Sequence, residues 1–248
     1  MSTCGNIKTI TKRELAGYFS SPVPYIVLVI FLLLMGTFTF LFGGFFERGQ
    51  ASLEDSFFLW HPWLYLILVP AVGMGLWAEE RRLGTIELLL TMPITAWQAI
   101  VGKFLASWIF IGLALLLTFP VFITVNYLGS PDNGVICATY LGSFLMAGSY
   151  LAIACMTSAL TRSQVVSFIL SVAICLLLVL CGFRPLTDFF AAHFSPGVVD
   201  TIAACSVLTH FLGFIKGVVD SKDVIFYLSI IGFSLFTTSV ILRSHRAG

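Results

Sequence analysis

Four consecutive charged residues, Glu79–Arg82, begin the segment with the most distinctive polar chemistry in the chain, residues 79–103. Thr85 is suited to cap a short helix, and Glu87 lies near the start of that helix, where the positive end of the helix dipole favours an acid. Pro93 is expected to end the helix. Residues of these types at this spacing predict a short helix outside the membrane.

The predicted helix carries apolar residues at Ile86, Leu89 and Leu90. An apolar helix surface held outside the membrane favours burial against a partner. A helix lying flat in the lipid interface is the alternative. Charged residues around Leu83–Gly84 disfavour lipid burial, so we interpret segment 79–103 as a docking segment for a partner protein.

Motifs that would give the chain its own catalytic chemistry are absent from the sequence. It has no G-x-x-x-x-G-K-[ST] loop to bind nucleotide phosphates, no H-E-x-x-H and no paired Cys-x-x-Cys. We therefore predict no catalytic, cofactor or metal site in the chain itself. The cysteines lie mostly in apolar runs, where they are more typical of packing than of disulfides. They are Cys4, Cys137, Cys155, Cys175, Cys181 and Cys205.

Ser149 raises the alternative of an intramembrane serine protease, with His210 as its base. However, Gly148-Ser149 lacks the second glycine of a G-x-S-G turn. Gly148, Ala152 and Ala159 instead fit a face of small residues that allows close helix packing. Packing is therefore the favoured interpretation of Ser149.

Two histidines near the predicted membrane boundary could in principle carry protons. His61 lies beside Trp60 and Trp63, so we interpret it as an interfacial residue in an aromatic belt. His210 shows no partner in the sequence, which argues against a proton relay.

The composition is that of a membrane protein. Of 248 residues, 58% are hydrophobic and only 10% are charged, against about 25% charged in soluble domains. The mean hydropathy is +1.01. One soluble domain could not bury this much apolar surface, whereas lipid can. The net charge of +1 predicts no nucleic-acid partner.

Six uncharged runs are long enough to cross a bilayer as helices, which needs about 20 residues each. None contains Asp, Glu, Lys or Arg, and this argues against an ion-driven carrier. The runs are Tyr25–Phe46, Leu59–Ala78, Phe104–Val125, Ala138–Leu160, Ser163–Phe183 and Val224–Leu242.

The basic residues predict the orientation, because Lys and Arg concentrate on the cytoplasmic side. With both termini inside, nine are cytoplasmic and four are outside. The nine are Lys8, Lys12, Arg13, Arg81, Arg82, Lys103, Arg162, Arg243 and Arg246, and the four are Arg48, Arg184, Lys216 and Lys222.

Residues 1–23 are predicted to form an amphipathic helix in the cytoplasmic interface, which Pro22 and Pro24 separate from the first span. A simple positive-inside anchor is an equally weighted alternative. The apolar residues of the predicted helix share one stripe. They are Ile7, Ile10, Leu15, Tyr18 and Phe19.

Residues 183–223 form the longest outer connection, which we expect Pro185, Pro196 and Gly197 to break. Within it, Thr201–Ile215 is too short to span and is predicted to be one interfacial or re-entrant helix. Asp223 is expected to be the N-cap of the last span.

Segment 79–103 resembles the cytoplasmic coupling region of type-two ABC transporter permeases. The residues that carry this resemblance are Glu79-Glu80, Gly84-Thr85, Glu87-Leu88-Leu89-Leu90, Pro93 and Gly102-Lys103. Both ends of the chain resemble the gliding-motility permease branch of that family. The matching residues there are Arg13-Glu14-Leu15, Tyr18-Phe19-Ser20-Ser21-Pro22, His210-Phe211, Gly217-Val218-Val219-Asp220 and Asp223-Val224.

The resemblance implies a single all-α permease domain over residues 1–248, with six spans, cytoplasmic ends and a re-entrant outer element before the last span. It implies that two such membrane subunits, identical or related, pair with two separate ABC ATP-binding subunits, which bind the ATP. It also allows an auxiliary subunit with a periplasmic domain. The partner-coupling residues carried over are Glu79, Gly84, Thr85, Glu87 and Pro93.

The sequence thus predicts the permease subunit of a bacterial inner-membrane ABC exporter, which is not itself an enzyme. The alternative is the membrane subunit of an ATP-driven complex that transmits force or anchors a periplasmic-domain partner without moving a substrate.

Overall fold

The computed structural model describes residues 3–47, 49, 52–85 and 95–244, and within them the chain is helical, without β-strands. A π-helical turn, Phe38–Phe42, extends α2, and a 3-10 turn, Phe58–Trp60, precedes α3. The helices are α1 Thr3–Ser20, α2 Pro22–Thr37, α3 His61–Gly73, α4 Ala78–Leu83, α5 Ala96–Leu116, α6 Phe119–Leu128, α7 Asn133–Leu160, α8 Gln164–Leu180, α9 Arg184–His193, α10 Pro196–Ala204, α11 Val207–Ile215 and α12 Ser221–Ser244.

The described helices include between five and seven candidate membrane crossings, which confirms an all-α membrane protein. Two bent pairs, each of which is either a broken span or a re-entrant loop, give the upper number: α8 with α9, at 63°, and Gly197–Ala204 with α11, at 73°. The predicted number of spans, six, falls within this range of five to seven. The five continuous crossings are Pro22–Phe42, Phe58–Leu83, Ala96–Leu128, Asn133–Leu160 and Ser221–Ser244.

Side-chain caps fix where several helices begin. Ser21 precedes α2, as the prolines predicted, and its hydroxyl accepts from the amide of Val23 at 3.5 Å. Thr95 and Gln98 form a reciprocal capping box at the start of α5. The Asp132 carboxylate accepts from the first amides of α7. Each cap satisfies amide groups that a helix start leaves without partners.

The centre of the bundle is α7, of which 83% is buried over its most apolar stretch, against 22% for α2. Helices α3, α5, α8, α11 and α12 surround it. Small residues make this possible: a Cβ on Gly148 would lie 2.7 Å from Cε2 of Trp108. Ser149 is buried and its hydroxyl donates to the carbonyl of Met146 at 2.7 Å. These contacts support the packing interpretation of Ser149.

The outer connection differs from its prediction. Thr201–Ile215 is not one helix, because the chain bends sharply between α10 and α11. The expected break at Pro196 is present: α9 ends at His193 and Pro196 begins α10, since proline fits the first helical turn, where its missing amide hydrogen has no partner to lose.

The predicted N-cap of the last span is also wrong. Helix α12 begins at Ser221, so Asp223 lies inside its first turn. Asp220 takes the capping position instead, and its Oδ1 accepts from the amide of Lys222 at 3.1 Å.

His61 is fully buried, so its prediction as an interfacial residue is wrong. Its Nδ1 lies 2.7 Å from the Ser143 hydroxyl on α7, which also lies 2.8 Å from the Tyr65 hydroxyl. The buried rings of Phe57 and Phe58 pack edge-on against the imidazole. The residues before α3 therefore fold over this end of the bundle and seal His61 inside.

Candidate coupling site

Lys103 stands at the centre of a buried ionic cluster that joins three helices. Its ammonium lies 3.1 Å from Oε2 of Glu14 on α1 and 2.9 Å from Oε1 of Glu80 on α4. The Lys103 side chain is 6% exposed, and the two carboxylates are 22% and 20% exposed. The ammonium also lies 5.6 Å from the centre of the Trp77 ring. We call Glu14, Glu80 and Lys103 the ionic junction.

The charges of the ionic junction stabilise one another. Burial raises the pKa of the Glu14 carboxyl, but Lys103 and the neighbouring Arg13, 2.7 Å away, outweigh it and hold that pKa below the ordinary value of 4.5. A carboxyl whose pKa is lower when folded contributes stability above its unfolded pKa. That contribution is lost as the pH falls through the lowered value.

Helix α1 packs closely along the first turns of α5. A Cβ on Gly102 would lie 2.6 Å from Cγ2 of Ile10, so only glycine permits this approach. The Thr11 hydroxyl lies 3.2 Å from the carbonyl of Gly102, and the hydroxyls of Tyr18 and Ser107 lie 2.7 Å apart. The predicted N-terminal helix is therefore attached to the bundle by direct contacts.

Helix α4 is also attached to α7 and α8. The Gln164 amide donates to the Glu79 carboxylate, and the Arg81 guanidinium donates to the carbonyl of Ala159. The Ser158 hydroxyl on α7 accepts from the amides of Trp77 and Ala78, each at 3.0 Å. These bonds join α4 to the turn between α7 and α8.

The profile of the ABC-2 family transporter proteins matches residues 9–194, which are 186 of the 248 residues. The chain belongs to the ABC-2 family of transporter proteins. No individual curated protein matches it. The family match includes all of the ionic junction and ends before α10. The assignment to the gliding-motility branch stays a prediction.

The structure describes three of the five predicted coupling residues of this ABC-2 protein. Glu79 binds Gln164, and Gly84 ends α4 with a φ of +71°, a conformation that glycine adopts without strain. The Thr85 side chain is exposed, with its hydroxyl 3.4 Å from the carbonyl of Glu80. Glu87 and Pro93 lie outside the described residues. Their roles, and capping by Thr85, stay predictions.

Sequence reasoning did not assign Glu14, Glu80 and Lys103 to one site in this ABC-2 protein. The sequence analysis used Lys103 as a cytoplasmic positive charge and as part of the family resemblance, placed before the third predicted span, whereas α5 begins at Ala96 and includes it. A lysine two turns inside an apolar helix needs a buried counter-ion. The position of Lys103 inside an apolar helix could therefore have suggested that a carboxylate binds it, although not which Asp or Glu provides that carboxylate.

The other end of this ABC-2 chain holds a second polar cluster, formed by His210, Asp223 and Ala204. Nδ1 of His210 lies 2.6 Å from Oδ1 of Asp223, and its Nε2 donates to the carbonyl of Ala204 at 3.0 Å. The imidazole also stacks on Phe226, with ring centres 3.9 Å apart. His210 therefore has the partner that the sequence did not show. The cluster ties α10 and α11 to α12.

Proposed function

We propose that this chain is the membrane-spanning permease subunit of a bacterial ABC exporter, driven by separate ATP-binding subunits that dock on segment 79–103. Membership of the ABC-2 family supports the permease role. The observation that carries the proposed coupling is the ionic junction. Lys103, which follows the predicted docking helix in the chain, binds both Glu14 on α1 and Glu80, which precedes that helix. The ionic junction therefore connects α1 to the residues on both sides of the predicted docking helix.

The proposed coupling follows from these attachments. A partner that moves residues 86–94 would pull on α4 and α5 together, because both adjoin that stretch. Through Lys103 the movement reaches α1, and through Glu79 and Arg81 it reaches the turn between α7 and α8. ATP would shift the permease between two states because the ATP-bound partner binds them differently.

The proposed complex contains two ABC ATP-binding subunits and a second permease subunit, which is a copy of this chain or a related one. The ATP-binding subunits supply the nucleotide site that the sequence of this chain lacks. An auxiliary periplasmic-domain subunit is an additional proposed partner.

The docking proposal predicts that Glu87→Lys weakens the complex. A reversed charge in a docked helix costs several kcal/mol when it meets groups arranged for an acid. We expect recovery of ATP-binding subunits with the tagged, purified chain to fall at least about tenfold, equivalent to about 1.4 kcal/mol. Glu54→Lys, at an exposed carboxylate outside segment 79–103, is the control and should leave recovery unchanged. Equal recovery from both variants contradicts the docking proposal.

The proposed location is the bacterial inner membrane, with α1, segment 79–103 and both termini on the cytoplasmic side. Two exposed native cysteines test this: Cys4 on α1 and Cys205 after α10. In variants that retain one of them, a membrane-impermeant maleimide added to spheroplasts should label Cys205. It should label Cys4 only after the membrane is opened. Labelling of Cys4 in closed spheroplasts contradicts the orientation.

A further inference from the structure

A large apolar groove opens between α5, α6 and α7, with a volume of about 620 Å³. This volume lies within the range of ordinary ligand sites, roughly 300–1,000 Å³. The segment Ala96–Leu128, which forms two of its walls, is interrupted at Leu117–Thr118, where α5 ends and α6 follows. Its lining on α5 and α6 includes Ile109, Gly112, Leu113, Leu116, Phe119 and Phe122.

The wall contributed by α7 matches the depth of one lipid leaflet. It extends from Ile136 to Phe144, which follow the first residue of that helix, Asn133, by three and eleven residues. At 1.5 Å per residue these positions lie about 5 Å and about 16 Å below the helix start. One leaflet of the hydrocarbon core is about 15 Å deep.

The mouth of the groove faces the surroundings of the bundle. Leu116, Phe119 and Leu141 line it and are 69%, 52% and 48% exposed, and Cys137 is exposed as well. Since these residues belong to candidate membrane crossings, the mouth meets lipid chains rather than water.

The lining of the groove offers water little to bind, because its Tyr140 hydroxyl has a partner within the protein. The Thr118 hydroxyl donates to the carbonyl of Leu115 at 2.6 Å, so the Tyr140 hydroxyl is the donor in its 3.0 Å contact with Thr118. Both hydroxyl protons are thereby used within the protein. A buried water needs two to four polar partners, and apolar cavities without them accept apolar guests instead.

We propose that this groove binds the acyl chain of a bilayer phospholipid from the leaflet adjoining the start of α7. The lipid's head group would lie beside Asn133, and its chain would extend along α7 to Phe144. The proposal does not depend on the proposed coupling to ATP-binding subunits, because it rests on the shape, depth and apolar lining of the groove.

Two exposed cysteines provide a matched test, because Cys137 lines the groove and Cys205 does not. The full chain is placed in nanodiscs of phosphatidylcholine doped with phosphatidylcholine that carries a photoreactive diazirine on its acyl chain. After illumination, the adducts are mapped by peptide mass spectrometry. We expect them to concentrate on residues 109–122 and 136–144.

Cys137→Trp should partly fill the groove and lower the adduct yield there several-fold, because the indole takes space from the acyl chain. Cys205→Trp should leave the yield unchanged. Leu141→Trp is a second groove-filling variant, and unfolding temperatures identify any variant that fails to fold.

Three results would overturn the proposal. Adducts spread with equal yield over other exposed apolar positions, such as Leu33 and Phe233, would show only unselective lipid contact. Yields unchanged in both folded groove-filling variants would place the lipid elsewhere. Cross-links that join groove residues of two protein copies would identify a second copy of the chain as the occupant.

Discussion

Lys103→Met is expected to destabilise the folded chain by about 3–5 kcal/mol, the cost of removing one member of a buried ionic group. The substitution leaves the carboxylates of Glu14 and Glu80 next to each other without the ammonium between them. For a chain of this size the unfolding temperature in detergent should fall by about 10 °C. ATP-driven movement of the complex should be lost with it, because α1 would no longer be tied to α4.

A neutral version of the same cluster separates charge from packing. Combining Lys103→Met with Glu14→Gln and Glu80→Gln removes all three charges, and it should recover most of the lost stability. Scanning fluorimetry of the single and triple variants makes the comparison. If Lys103→Met unfolds at the temperature of the native chain, the ionic junction does not hold these helices together.

Asp223→Ala is expected to weaken the attachment of the outer helices α10 and α11 to the bundle. The substitution removes the acceptor at Nδ1 of His210, an interaction of a charged group worth about 1.5–3 kcal/mol. Amide hydrogen exchange within Val207–Ile215 should therefore become about 10- to 150-fold faster. The rest of α11 should remain partly held, because Phe214 is fully buried against Gly142 of α7.

Asp188→Ala is the matched control for Asp223→Ala, because Asp188 is an exposed acid on the nearby α9. It should leave exchange in Val207–Ile215 at the native rate. Equal exchange in the two variants would mean that the contact between His210 and Asp223 contributes nothing to holding the outer helices.

The positions of the membrane crossings could be predicted because they depend on a local property. A helix needs a fixed length of apolar sequence to cross lipid, and that length is visible residue by residue. Thus the predicted run Ala138–Leu160 ends at the same residue as α7, and Val224–Leu242 lies within α12. The break before α2 was predictable for a similar reason, since Pro22 and Pro24 act on their own neighbours.

The contacts that build the candidate site could not be predicted, because they join residues far apart in the chain. Lys103 follows Glu14 by 89 positions, and His61 precedes its partner Ser143 by 82. Sequence spacing orders residues only along one helix or strand. Which helices become neighbours, and which buried group meets which, follows from the packing of the whole bundle.

The same limit explains the error at the outer connection. The run Thr201–Ile215 is uncharged and mostly apolar, so its mean hydropathy carries no sign of the bend after Ala204. Ser206 caps α11 by accepting from the amide of Leu208 at 3.1 Å, and this marks the new helix start. A serine inside an apolar run was the one local signal of a second helix.

The central claim, that ATP-binding subunits act on the end of the bundle containing α1, is tested most directly by cross-linking the native complex. Native lysines serve as the probes, because Lys8 and Lys12 are exposed on α1, whereas Lys216, after α11, and Lys222, in the first turn of α12, are exposed elsewhere. With an amine-reactive cross-linker applied to native membranes, the account predicts links from an ABC ATP-binding subunit to Lys8 or Lys12. Links from that subunit to Lys216 or Lys222, or a complex that works without any ATP-hydrolysing subunit, would contradict it.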